Sequence, residues 1–114
     1  MKVVDRIESY QVSDGEVRLS IIIGDAQIGS SVVSLDSDEI GRGDISNLVV
    51  GSGPDIKNKA LFTKSVVTDV NDASDWISIT YHLEGGAQNQ DYSSSDKVEA
   101  AGDSIIYRAK FNFV

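Results

Sequence analysis

The chain has 114 residues and no cysteine, and its ten Lys and Arg against eighteen Asp and Glu leave a formal net charge of −8. That length makes one domain over residues 1–114 with one core, and the missing cysteines remove disulfides, thiol nucleophiles and thiolate metal sites. The acidic balance repels phosphate backbones and anionic lipid surfaces, so no nucleic-acid partner is expected.

The chain is charged at Asp5 and Arg6 and shows neither a secretory apolar run nor the ~20 apolar residues of a membrane span. A cytoplasmic protein is expected. Asp outnumbers Glu by more than two to one, and Val and Ile dominate the apolar residues. Asp suits turns and β-branched side chains suit a pleated sheet, so strands are favoured over helices.

Residues 3–12 run into Asp14-Gly15, residues 17–23 into Gly24-Asp25, and residues 26–35 follow. Both dipeptides supply the positive φ of two-residue hairpin turns. A turn at Gly24-Asp25 places Ile21 opposite Ile28, Leu19 opposite Ser30 and Val17 opposite Val32 on one apolar side. A turn at Asp14-Gly15 adds Val12 opposite Val17 and Tyr10 opposite Leu19. Glu8 then conflicts with Ile21, so either the first strand bends away there or a bulge shifts its outer half and turns Ile7 inward. Residues 36–42 read as a loop or one helical turn. Residues 45–50 read as a strand ended by Gly51-Ser52-Gly53-Pro54, with a loop through Lys59.

Residues 61–70 and 76–83 form a third expected hairpin around 71–75, with Ile77, Ile79, Tyr81 and Leu83 facing inward. Residues 87–96 are polar and read as a mobile loop, and residues 97–101 as a short strand. In 104–114, Ile105, Tyr107, Ala109, Phe111 and Phe113 alternate with polar or smaller partners, which marks a strand central to the core. The sum is an all-β, antiparallel β-sandwich of seven or eight strands, immunoglobulin-like or C2-like, with a small barrel as the alternative.

Oxygen-bearing side chains gather at Asp69, Asn71, Asp72 and Asp75, a set that could ligate Ca²⁺ at one end of a sandwich, joined by Asp36 and Asp38 if those loops share that end. As an EF-hand loop the segment fails, because Ser74 and Thr80 stand where Gly and Glu are required. The simpler alternative is a loop whose Asp and Asn bond their own backbone. His82 is the single histidine, and no Gly-x-Ser-x-Gly elbow accompanies it, so a small hydrolase is the third choice. The Asp36/Asp38 and Asp72/Asp75 pairs read as solvated loops, and Arg42-Gly43-Asp44 as a chance tripeptide. Trp76 alternates onto the polar side of its strand with His82, where an aromatic ring can anchor a partner. The leading expectation is a non-catalytic binding or assembly module without a cofactor. Its partner would be another protein or a second copy in a homo-oligomer, with that Trp76 side and free strand edges as contacts. The alternative is Ca²⁺ binding by the acidic loops.

Overall fold

The computed structural model describes residues 2–114. Among them the chain forms β1 (Lys2–Tyr10), β2 (Glu16–Ile23), β3 (Ile28–Leu35), β4 (Asp38–Gly43), β5 (Leu48–Ser52), the helical turn α1 (Gly53–Ile56), β6 (Ala60–Thr68), β7 (Trp76–Glu84), β8 (Gln90–Lys97) and β9 (Ser104–Phe113). They build two sheets packed face to face, a five-stranded one ordered β1-β9-β6-β3-β4 and a four-stranded one ordered β5-β2-β7-β8. β1 runs parallel to β9, and every other neighbouring pair is antiparallel. The fold is a β-sandwich and not a closed barrel.

The period-2 patterns that face inward do so as their alternation requires. Ile77, Ile79, Tyr81 and Leu83 of β7 and Ile105, Tyr107, Ala109, Phe111 and Phe113 of β9 are all buried. β9 lies between β1 and β6, which explains why its inner side chains are the bulkiest of the five-stranded sheet. Phe111 reaches across to the four-stranded sheet, where its ring lies 5.4 Å from Tyr81 and 5.2 Å from Tyr92.

All three expected hairpins are absent. β1 and β2, β2 and β3, and β6 and β7 each belong to different sheets, so the loops between them cross the sandwich. Ile21 pairs with Tyr81 and Ile28 with Thr68. The physical reason is clearest at residues 24–27. The positive φ angles fall on Asp25 and Ala26, at 59° and 55°, one residue later than the sequence position of the glycine, and the Gln27 N–H donates to the Gly24 carbonyl at 3.3 Å. Gly24 has a different task, since a Cβ there would collide with Ser78 Oγ of β7. The one-residue shift exchanges the two faces of β3. Ser31 and Val33 point into the core, and Ile28 is exposed. Ile7 is also exposed, with no bulge turning it inward.

Three segments expected as irregular are ordered elements. Residues 36–42 belong to a β3–β4 hairpin that turns at Asp36, whose φ is 51°. Gly53 and Pro54 open the single turn of α1, where the missing proline N–H costs nothing. Most of 87–96 is β8, paired along its length with β7. β8 escapes an apolar alternation test because only Tyr92 of its inner side chains is an apolar ring, followed by half-buried Ser94 and Asp96. The expected strand at 97–101 is instead the end of β8 and a turn through Gly102.

The free edges are blunted. β1 and β8 share one flank and are tied together by side chains. The Arg6 guanidinium donates to the Ser93 carbonyl at 2.7 Å and to Ser94 Oγ at 3.2 Å, and the Tyr92 hydroxyl donates to the Ser9 carbonyl at 3.3 Å. The Tyr107 hydroxyl donates to Asp96 at 2.8 Å, and burial, reinforced by that carboxylate, pushes its phenol well up. On the other flank β4 and β5 are short, and each meets its neighbour with a register shift. Short, irregular or side-chain-capped edges resist pairing with another strand.

Phe111 and Phe62 lie in the five-stranded sheet on opposite faces, buried and 42% exposed respectively. Phe111→Ala is expected to cost about 3–5 kcal/mol in urea unfolding, and Phe62→Ala under about 1 kcal/mol. Equal losses would contradict the assignment of the two faces.

Candidate functional site

Three surfaces hold the side chains singled out above or resemble binding surfaces: the outer face of the four-stranded sheet, one end of the sandwich, and the outer face of the five-stranded sheet.

On the first, Trp76 is 49% exposed and pairs across with Lys97, whereas His82 pairs with Asp91. Six residues of strand separate Trp76 from His82, about 20 Å at the usual rise. The structure therefore does not bring the two together. Between them the face carries hydroxyls, including a Thr80–Ser93 bond of 2.9 Å. His82 Nδ1 lies 2.5 Å from Asp91 Oδ1, and Nε2 lies 3.5 Å from Glu84 Oε2. The Asp91 hydrogen bond raises its pKa most, with Glu84 adding to that, against a smaller effect of burial. Each ring nitrogen thus faces a carboxylate, an arrangement that holds a proton. Ser20, directly opposite on β2, spends its Oγ on the Asn47 N–H at 3.0 Å.

The loops 24–27, 44–47, 69–75 and 98–103 meet at one end, where β6 finishes and β7 and β9 begin. They contain Asp25, Asp44, Asp69, Asp72, Asp75, Glu99 and Asp103, with no Lys or Arg. Asp36 and Asp38 lie at the opposite end, where β3 finishes, and do not join them. Gln27, only 8% exposed, organises this acidic end. Its Oε1 accepts from the Val70 and Asn71 N–H groups at 2.7 and 3.0 Å, and its Nε2 donates to the Ser74 and Trp76 carbonyls at 3.2 and 2.9 Å.

The four residues expected as Ca²⁺ ligands divide. Asn71 Oδ1 accepts from the Ala73 N–H at 3.0 Å, and its Nδ2 donates to the Asp25 carbonyl at 2.8 Å, so it is used within the loops. Asp72 and Asp75 point to solvent. Asp69 is 3% exposed, and among the described residues neither carboxylate oxygen has a hydrogen-bond partner. Among the described residues no three His, Asp or Glu side chains converge as a metal centre would require.

The third surface is the one that sequence reasoning missed. The outer face of the five-stranded sheet carries Val3 and Ile7 of β1, Phe62 and Val66 of β6 and Ile28 of β3, all exposed, and Ile7 at 73%. A trough of about 550 Å³ crosses its middle, bordered by Ile7, Val32 and Phe62. Four basic side chains stand on the same face, Arg42, Lys64, Arg108 and Lys110, against Asp5 and Glu39. Asp5 binds Arg108 at 2.6 and 2.8 Å, and Glu39 binds Arg42 at 2.7 Å. Lys64 and Lys110 have no carboxylate partner among the described residues, and Lys110 Nζ sits 5.6 Å from the Phe62 ring centre. The sequence signal was β6 itself, where Leu61-Phe62 and Val66-Val67 put apolar residues on both faces of one strand.

No protein-family description matches the chain, and no curated protein or solved structure is similar enough to it to carry a comparison.

Because the folded pKa of His82 is raised above its ordinary 6.5, its contribution to stability is complete below that value and is lost as pH rises through the folded pKa. His82→Gln should therefore lower the melting temperature in mildly acidic buffer and converge with the parent chain at higher pH. An NMR titration of the imidazole should give a midpoint above 6.5. A midpoint at or below 6.5 would contradict the two-carboxylate environment.

Proposed function

We propose that this chain is a non-catalytic docking module whose partner sits on the outer face of the five-stranded sheet. The observation that carries this reading is the trough of about 550 Å³ bordered by Ile7, Val32 and Phe62, with Val3, Val66 and Ile28 exposed further along the same face. Scattered apolar residues are normal on a surface, but apolar side chains that border a trough on an open sheet face mark a contact surface. The blunted strand edges support a face rather than an edge as that contact. Trp76 stays in the reading as a separate anchor on the other sheet, flanked by Lys97 and hydroxyl side chains.

Ile7→Lys with Phe62→Lys alters the face without touching the core, so the double variant should keep its melting temperature. Used as affinity baits in extracts of the source cells, the parent chain should retain a defined protein, identified by mass spectrometry, that the variant loses; self-association lost in the variant counts equally. Identical profiles from parent and variant, with both monomeric at millimolar concentration, would overturn the reading.

A second reading, Ca²⁺ binding at the acidic end, is favoured by one observation, the buried and unpartnered carboxylate of Asp69. A buried carboxylate left alone is costly, and a cation is one way to offset it. The occupied Asn71 and the outward Asp72 and Asp75 mean that backbone carbonyls would have to complete the shell. Thermal melting decides it: a ligand at a hundred times its dissociation constant adds about 2.7 kcal/mol, and the gain should vanish in Asp69→Asn. An unchanged melting temperature in millimolar Ca²⁺ removes this reading.

A further inference from the structure

We propose that the partner on the outer face of the five-stranded sheet is the acidic end of a second copy of this chain. This inference rests on the docking-face reading above and adds to it the identity of the occupant.

Charge carries the argument. On a molecule of net charge −8, the outer face is locally positive. Its two carboxylates are already held by Arg108 and Arg42, and Lys64 and Lys110 remain beside the apolar trough without an anionic partner among the described residues. A cation beside an apolar floor is complementary to a surface that is both anionic and partly apolar. The end of the sandwich fits that description. Its four loops hold seven carboxylates and no cation, and Val70, Ala73, Ala100 and Ala101 stand exposed among them. Two copies packed face to face would fit worse, because Lys64 and Lys110, unpaired among the described residues, lie on β6 and β9 in the interior of the sheet, while its carboxylates lie on the edge strands β1 and β4 and are already held by arginines.

Size agrees with a weak contact. The molecule measures 45 × 25 × 20 Å, so an end docked on a face removes on the order of 1,000 Å² counting both partners, the lower limit of specific interfaces. The end and the face are different surfaces of one molecule. Each contact therefore leaves a free face at one side and a free end at the other, and the association extends from copy to copy, as a ring where the rotation closes and as an open chain where it does not.

Sedimentation velocity from micromolar to millimolar protein tests this. The parent chain should show a mass that climbs steadily with concentration and falls back between about 50 and 500 mM salt as the charges are screened. Lys64→Gln with Lys110→Gln disables the face without making it anionic, and Asp72→Lys with Asp75→Lys blocks the end; each double variant alone should be monomeric, with unchanged circular dichroism and melting temperature. Mixed in equal amounts, the two variants should form a 1:1 complex of two 12.3 kDa chains, because one supplies an intact end and the other an intact face. A parent chain that stays monomeric at millimolar concentration overturns the inference. So does a discrete dimer indifferent to the Asp72/Asp75 change, or a mixture that stays monomeric. If the parent is monomeric yet the Ile7/Phe62 comparison still separates a bound protein, self-docking fails and the docking face stands; if neither effect is seen, both fail.

Discussion

The ring of Phe111, set between Tyr81 and Tyr92, holds the two sheets of this sandwich together at a point where no hydrogen bond can do so. Apart from the β3–β4 and β7–β8 hairpins, the chain never builds a sheet from consecutive strands. Each sheet is therefore assembled from segments distant in sequence, such as β1 with β9 and β3 with β6. The sheets stay in register with each other through their interlocked inner side chains, reinforced on one flank by the Arg6, Tyr92 and Tyr107 hydrogen bonds. Aromatic pairs at 5–6 Å contribute beyond their buried area, and the edge-on Tyr81–Phe111 geometry is a favoured one, with Tyr92 tilted against the same ring. Once that layer is fixed, the rest follows: β9 must sit inside the five-stranded sheet, and its outward Arg108 and Lys110 must stand beside Phe62 and Lys64.

This arrangement explains which parts of the fold were legible from sequence. Alternation reports which side chains share a face of one strand, and it placed the inner residues of β7 and β9 correctly because burial of a bulky set tolerates only one phase. Pairing is a different quantity. Asp14-Gly15 and Gly24-Asp25 carry the local chemistry of hairpin turns, but that chemistry also serves a loop that carries the chain from one sheet to the other. At 24–27 the choice was made by β7, whose Ser78 leaves room only for a glycine at position 24. A contact between residues 54 positions apart has no local signature. β8 was illegible for the opposite reason, since its strand character comes from pairing with β7 and not from its own Ser- and Asp-rich composition.

The candidate surfaces divide along the same line. The acidic loops were visible as composition, yet their gathering at one end depends on β6, β7 and β9 meeting there, and on Gln27, a residue with no local mark of importance. The carboxylates of that end differ in kind: Asp69 is enclosed, while Asp72 and Asp75 reach solvent. The outer face of the five-stranded sheet was hidden because it assembles single residues from β1, β9, β6 and β3. Only the two-sided apolar character of β6 pointed to it.

Net charge would argue against any acidic molecule approaching another, and the distribution of charge answers that objection. Screening confines the influence of exposed charges to about 8 Å at physiological ionic strength, so a partner arriving at the outer face meets the local field and not the sum of −8. That local field is set by Lys64 and Lys110, because the carboxylates of Asp5 and Glu39 are bonded to Arg108 and Arg42. Keeping the other carboxylates off the face also leaves Asp5, already bound by Arg108, as the anion that flanks Ile7, Val32 and Phe62, so little further anion hydration would have to be stripped on contact. In the docking proposal, the apolar border of the trough, the two available cations and the edges closed to strand pairing all suit an anionic, partly apolar surface laid across this sheet.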